Sequence, residues 1–196
     1  MLRTSGAFYQ DTRRGRIIHR LNQKGNDVNI ILIGFRGTGK SSVAELVAMA
    51  TNRDVFHMDS AIAELAKCPT AQFVKEKGWE AFWELEQRVA QEAAQKQNTV
   101  IDTGGGVIRH EDHMAALKKT GVVFWLTAQP STIRERLSEF KDRPSITPHR
   151  SFLDEVEEVL EAREPFYAQY ADHQIPTDNR TLGEIANDII QIVCGG

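Results

Sequence analysis

Eight consecutive residues, Gly34-Phe35-Arg36-Gly37-Thr38-Gly39-Lys40-Ser41, fit G-x-x-x-x-G-K-[ST], and they lie between an apolar run of strand type, Asn29 to Ile33, and a segment with helical apolar spacing at Val43, Leu46, Val47 and Ala50. That order of strand, loop and helix is the one in which backbone N–H groups can wrap a polyphosphate. Glycines at 34, 37 and 39 let the chain curl without side chains in the way, and the following helix turns its positive end toward the phosphates. Lys40 then neutralises the β- and γ-phosphates, Ser41 offers a hydroxyl to Mg²⁺, and Gly37, Thr38, Gly39 and Ser42 complete the cradle. The expected ligands are ATP and Mg²⁺.

A chain of 196 residues suffices for one α/β domain with a proper core. No apolar run approaches the length of a membrane span, and the N-terminus lacks the apolar stretch of a secretory signal. Cys68 and Cys194 lie far apart without C-x-x-C spacing, which argues against a disulfide framework or zinc site and suits a reducing compartment. The expectation is a soluble cytoplasmic protein, without a membrane partner and acting as a monomer on a small molecule.

Net charge is −3, unevenly spread. Residues 1–28 hold six basic side chains (Arg3, Arg13, Arg14, Arg16, Arg20, Lys24) against two acids (Asp11, Asp27); this segment is +4, and subtracting it from the total leaves −7 for the remainder. Residues 1–28 are therefore read as a basic, poorly ordered extension, and residues 29–196 as the domain. An acidic body does not favour nucleic acid as a main partner.

Strands are expected at Asp54–Asp59, Thr99–Asp102, Gly121–Leu126 and His173–Ile175. Helices are expected at Ala61–Lys67, Thr70–Lys77, Glu80–Gln97, Glu111–Lys119, Ser131–Phe140, Phe152–Tyr170 and Leu182–Val193, with Gly78 breaking the second from the third. Residues 141–151, with two prolines and four basic side chains, read as a loop that would serve as a mobile lid. Continuously apolar strands alternating with helices predict a parallel sheet covered on both faces. Ligands of such sheets lie at the carboxyl ends of the strands, which draws Gly34, Asp59, Asp102 and Gly104 to Gly106 into one crevice.

The ordered set of Gly34 to Ser42, Asp59-x-x-Ile62, Gly78-x-x-x-Phe82-x-x-x-Glu86, Thr103-Gly104-Gly105-Gly106, Arg143-Pro144 and Arg163-x-Pro165-x-Tyr167 resembles the signature of shikimate kinases, from about Asn29 to the C-terminus. The resemblance implies a three-layer P-loop fold with a five-stranded parallel sheet in order 2-3-1-4-5, and transfer of the ATP γ-phosphate to the 3-hydroxyl of shikimate. It implies that Asp59 binds the acceptor hydroxyls and can take the proton, and that Gly104, Gly105 and Gly106 bring backbone N–H groups to the acceptor. It further implies that Arg163 grips a carboxylate, that Arg143 closes over the phosphates, and that Arg136 lies against adenine with Asp178 to Leu182 nearby.

Two positions depart from that signature. The first acid of the family's D-x-D falls on His57, and a histidine cannot do for hydrated Mg²⁺ what a hard carboxylate does. Asp102, closing a strand beside the P-loop strand, is the candidate to take over, alongside Ser41; the alternative is that it caps the glycine turn. Second, Trp83 stands where an arginine helps hold the substrate carboxylate. Three functions remain open: a shikimate kinase with altered anchoring, a kinase of the same fold for another hydroxylated metabolite, and a nucleotide-binding regulatory module with weak turnover.

Overall fold

A computed structural model describes residues 28–138 and 152–195. The expected extension, the lid and Arg143 lie outside these residues. Five parallel strands, β1 (Asn29–Gly34), β2 (Asp54–His57), β3 (Thr99–Asp102), β4 (Gly121–Thr127) and β5 (His173–Pro176), form one sheet in the order β2-β3-β1-β4-β5, as the resemblance implied. The seven helices among the described residues are α1 (Lys40–Thr51), α2 (Met58–Ala66), α3 (Thr70–Gln95), α4 (Glu111–Lys118), α5 (Pro130–Ser138), α6 (Phe152–Tyr170) and α7 (Leu182–Cys194).

Strand side chains alternate between two cores, as the two-residue period of a pleated strand demands. Ile31, Ile33, Ile101, Val123 and Trp125 pack against α2, α3, α4 and α6 through residues such as Met58, Val89, Met114 and Tyr167. Ile30, Leu32, Val100, Val122, Phe124 and Leu126 face the other way, onto Val43, Ala44 and Val47 of α1 and Ile185 and Ile189 of α7. Both faces of β1 are thus covered, so the loop that leaves its carboxyl end is carried on a strand buried along its whole length.

The structure corrects one boundary. β2 stops at His57 rather than running to Asp59, and the chain enters α2 at once, because a helical turn there tucks Met58 fully into the core and leaves Asp59 in the exposed first turn. The expected break at Gly78 is present: φ of 85° and ψ of 171° interrupt α3, a conformation that side chains rarely adopt. A short 3-10 turn, Val107–Arg109, follows the glycine run and was not anticipated.

Asn29 ties three segments together at the amino ends of the strands. It is fully buried, its amide donates to Lys96 O at 2.7 Å and Thr120 Oγ1 at 3.3 Å, and its Oδ1 accepts from Thr99 N at 3.0 Å. Asn29→Ala leaves the Thr99 N–H buried without its acceptor, and is expected to cost about 1–3 kcal/mol in urea unfolding. Because this end of the sheet is opposite the P-loop, Michaelis constants should not change.

Candidate active site

The P-loop has the backbone its glycines predict. Gly37 (φ 86°) and Gly39 (φ 88°) are left-handed, and Gly39 caps α1. Lys40 is buried within the loop, its ammonium donating to Gly34 O at 2.9 Å and Phe35 O at 3.2 Å. Thr38 is also buried; its hydroxyl and its N–H both turn back to Phe35 O, at 2.8 and 3.3 Å, so it fixes the shape of the loop. Ser41 and Ser42 are exposed at the start of α1.

Arg136 on α5 closes one side of the loop. Its Nη1 donates to Gly37 O at 3.2 Å and Thr177 Oγ1 at 3.0 Å, while Nη2 donates to Thr177 O at 2.8 Å. It therefore ties the P-loop to the turn after β5. The turn's next helix brings Leu182 within van der Waals range of Gly39, where an added Cβ would meet Leu182 Cδ2 at 3.5 Å.

On the other side, the glycine run after β3 fills the gap between P-loop and α2. A Cβ on Gly104 would sit 2.5 Å from Asp59 Oδ1, and one on Gly105 would sit 3.5 Å from Arg36 N. The Gly105 carbonyl accepts from Arg163 Nη1 at 3.1 Å and from Tyr167 Oη at 2.7 Å. Burial pushes the Tyr167 phenol up to about 12, so it stays protonated as a donor. Arg163 also lies over the Phe35 ring, 5.7 Å from its centroid. The Gly-Gly-Gly and Arg-x-Pro-x-Tyr segments, some 60 residues apart, thus meet at one carbonyl. Gly106 lies beside them with no atom within 4 Å of an added Cβ.

Trp83 stands on α3 between Trp79 (ring centroids 6.5 Å apart) and His110 (5.5 Å). One turn further on, Glu86 is buried, with His113 Nδ1 at 3.7 Å and His110 Nε2 at 3.9 Å from its Oε2. Burial, with Asp59 nearby, pushes the Glu86 carboxyl up to about 7, although Arg109 and Arg163 pull the other way. Burial and the neighbouring His110 push His113 down to about 4. The two histidines, which showed no ligand spacing in the sequence, surround this carboxyl; only the fold reveals the cluster.

At the carboxyl ends of β2 and β3, His57 bridges two acids: its Nδ1 is 2.9 Å from Asp102 Oδ2 and its Nε2 is 2.9 Å from Glu45 Oε1 on α1. Burial draws His57 toward the neutral form, but the two carboxylate contacts outweigh it and raise its pKa. Asp102 is 7 % exposed, and its Oδ1 has no hydrogen-bond partner among the described residues. A buried, unshared carboxylate oxygen suits a hard cation. Among the described residues no group of three His, Cys, Asp or Glu side chains could hold a metal. Mg²⁺ keeps several waters and takes one or two carboxylates together with phosphate oxygens rather than a protein cage. Asp102 and Ser41 are the residues that could hold it.

Comparison with known proteins gives a consistent result. A family model described as shikimate kinase matches residues 36–194. The shikimate kinase of Caldanaerobacter subterraneus subsp. tengcongensis is 35 % identical over 166 residues, spanning 83 % of this chain and 94 % of its own. That of Thermodesulfovibrio yellowstonii is 36 % identical over 163 residues, spanning 83 % and 93 %. Among solved structures, the shikimate kinase from Bacteroides thetaiotaomicron superposes with a TM-score of 0.76 at 27 % identity, covering 85 % of this chain and 98 % of its own. The Acinetobacter baumannii shikimate kinase in complex with shikimate gives a TM-score of 0.81 over 89 % and 97 % of the two chains; at 24 % identity it speaks for the fold.

Two outcomes are expected from this geometry. Gly104→Ala must displace the Asp59 carboxylate while leaving the sheet intact, so turnover should fall by about 100-fold with no change in the unfolding midpoint. Glu86 contributes stability that is complete below its ordinary value of 4.5 and lost as pH rises to about 7. His113 contributes in the opposite sense, losing stability as pH falls from 6.5 to about 4, so the two largely cancel in the parent protein between those limits. The difference isolates Glu86: Glu86→Gln should gain on the order of 3 kcal/mol over the parent between pH 4.5 and 8 in urea unfolding. A pH-independent difference would show that Glu86 ionises freely in the fold.

Proposed function

The chain belongs to the shikimate kinase family, and on that premise we propose that it transfers the γ-phosphoryl group of ATP to the 3-hydroxyl of shikimate, giving shikimate 3-phosphate and ADP. The observation that carries the reading is the meeting of Asp59, Gly104, Gly105 and Arg163 beside the P-loop, where a Cβ on Gly105 would meet Arg36 N at 3.5 Å and the Gly105 carbonyl is held by Arg163.

Phosphoryl transfer is mostly positioning and charge stabilisation. Asp59, exposed on the first turn of α2, holds the acceptor hydroxyl in line; the hydroxyl oxygen bonds to the γ-phosphorus, the bond to the β–γ bridging oxygen breaks, and the hydroxyl proton passes to the Asp59 carboxylate. Lys40 takes charge from the β- and γ-oxygens, and the N–H groups of Gly37 to Ser42 orient the chain of phosphates. Arg136 sets the adenine side, and Arg143 closes over the phosphates. Arg163 supplies a planar fork for the acceptor carboxylate, and Gly104 to Gly106 offer backbone N–H groups to the acceptor ring. Mg²⁺ held at Ser41 and Asp102 would neutralise phosphate charge. The proposed setting is the cytoplasm, with the enzyme acting as a monomer. No described helix is long and apolar enough to cross a membrane.

A second reading has one specific observation in its favour. Trp83, stacked on Trp79 and tilted against His110, presents an aromatic wall where the family signature has a cation, which suits a hydroxylated acceptor with less negative charge. Release of ADP measured with shikimate and with a panel of polyols separates the two: stimulation by shikimate supports the first, stimulation only by another acceptor the second. Trp83→Arg restores a charge-assisted contact, so it should lower the Michaelis constant for shikimate by about 10-fold or more with little effect on that for ATP. An unchanged constant would mean that position 83 does not face the acceptor carboxylate.

A further inference from the structure

We propose that His57 is a positioning residue for the divalent cation: clamped between Glu45 and Asp102, it turns the free oxygen of Asp102 toward the Ser41 hydroxyl. The inference rests on the kinase reading above and on Asp102 serving the metal, and it deepens both.

Three placements carry it. Asp102 pairs in register with Leu32 on β1 and with His57 on β2, so the acid and the imidazole are direct neighbours at the carboxyl ends of adjacent strands. Leu32 belongs to the core that α1 covers, and Asp102, its register partner, stands on the same face of the sheet. On α1, Ser41 and Glu45 are four residues apart and hence one turn apart on one helix face. Glu45 is the residue that meets His57 Nε2, so the face that carries Ser41 is the face that the imidazole joins to Asp102.

The division of oxygens on Asp102 follows. Oδ2 is occupied by His57 Nδ1 at 2.9 Å, and Oδ1 is buried with no partner among the described residues. A carboxylate able to rotate would give either oxygen to a cation or satisfy itself elsewhere; here one oxygen is tied and the other held in one direction. Glu45 does the same for the ring, since an imidazole bonded at both nitrogens cannot flip. This is the arrangement by which outer groups orient a metal-binding side chain, and their loss typically weakens metal affinity about 10- to 100-fold. His57 need not touch the cation to replace the acid that the D-x-D signature has at its position.

The test is Mn²⁺ binding to the enzyme–ADP complex followed by electron paramagnetic resonance, with ADP affinity measured in parallel without metal. Asp102→Asn and His57→Ala should each weaken Mn²⁺ binding at least about 10-fold and leave metal-free ADP affinity unchanged. The double variant should be no worse than Asp102→Asn, because His57 acts through Asp102. His57→Gln, which keeps an N–H donor, should recover part of the loss. Mn²⁺ affinity within twofold of the parent in His57→Ala overturns the proposal, as does an equal loss of metal-free ADP affinity, which would indicate a purely structural role. An unchanged Asp102→Asn overturns the metal assignment and this proposal together. Because no acceptor is present, these outcomes are separate from the choice of shikimate, which the ADP-release measurement decides.

Discussion

Two loops that leave neighbouring strands can share one cleft only if one of them approaches the other at backbone distance, and in this protein the glycine run after β3 does so. Gly105 lies against Arg36 of the P-loop, and Gly104 lies so close to Asp59 that a methyl group would overlap the carboxylate. A side chain at 104 would push the Asp59 carboxylate out of its place beside the glycine run. The close approach is locked from the far side, where Arg163 and Tyr167 of α6 both donate to the Gly105 carbonyl. The close approach requires a glycine at 104, and two hydrogen bonds to the Gly105 carbonyl, one of them charge-assisted and one from a buried phenol, hold the run in place. The position of Arg163 in the cleft is thus a consequence of the same bond that holds the loop.

The electrostatics of the cleft are less simply balanced. Glu86, enclosed by α3 and α4, holds its proton up to about pH 7, chiefly through burial and in part through the Asp59 charge, while Asp59 itself lies exposed. With Trp83 in place of a cation, Glu86 is attended by His110, His113, Arg109 and Arg163. On the proposed reading, the protonated form of Glu86 would present no charge to an acceptor carboxylate beside Trp83.

Much of the fold was legible because it is written in local patterns: the glycine spacing of the P-loop, the alternation of apolar strands with helices, and Gly78, whose positive φ breaks α3 where the sequence said it would. The resemblance supplied the strand order, and the sheet has it. The end of β2 was misjudged, since only the depth of the core beneath Met58 tells the chain to turn two residues before Asp59. The His57 bridge and the Glu86 cluster were illegible for a related reason. Each joins residues from separate elements, 12 and 45 positions apart in one case, and no one-dimensional spacing encodes a cross-strand register or a helix rotation. From the sequence, Asp102 is the candidate to take over from His57 at the metal; that the two bond to each other is a fact of the sheet.

Nucleotide and acceptor are proposed to occupy one cleft across Gly104 and Gly105. The most direct test is the paramagnetic effect of Mn²⁺·ADP on the proton relaxation of bound shikimate. Strong enhancement is expected for the ring protons next to the 3-hydroxyl, decreasing toward the carboxylate proposed to meet Arg163. Shikimate that binds with no metal-dependent enhancement, or with enhancement greatest near its carboxylate, would contradict it.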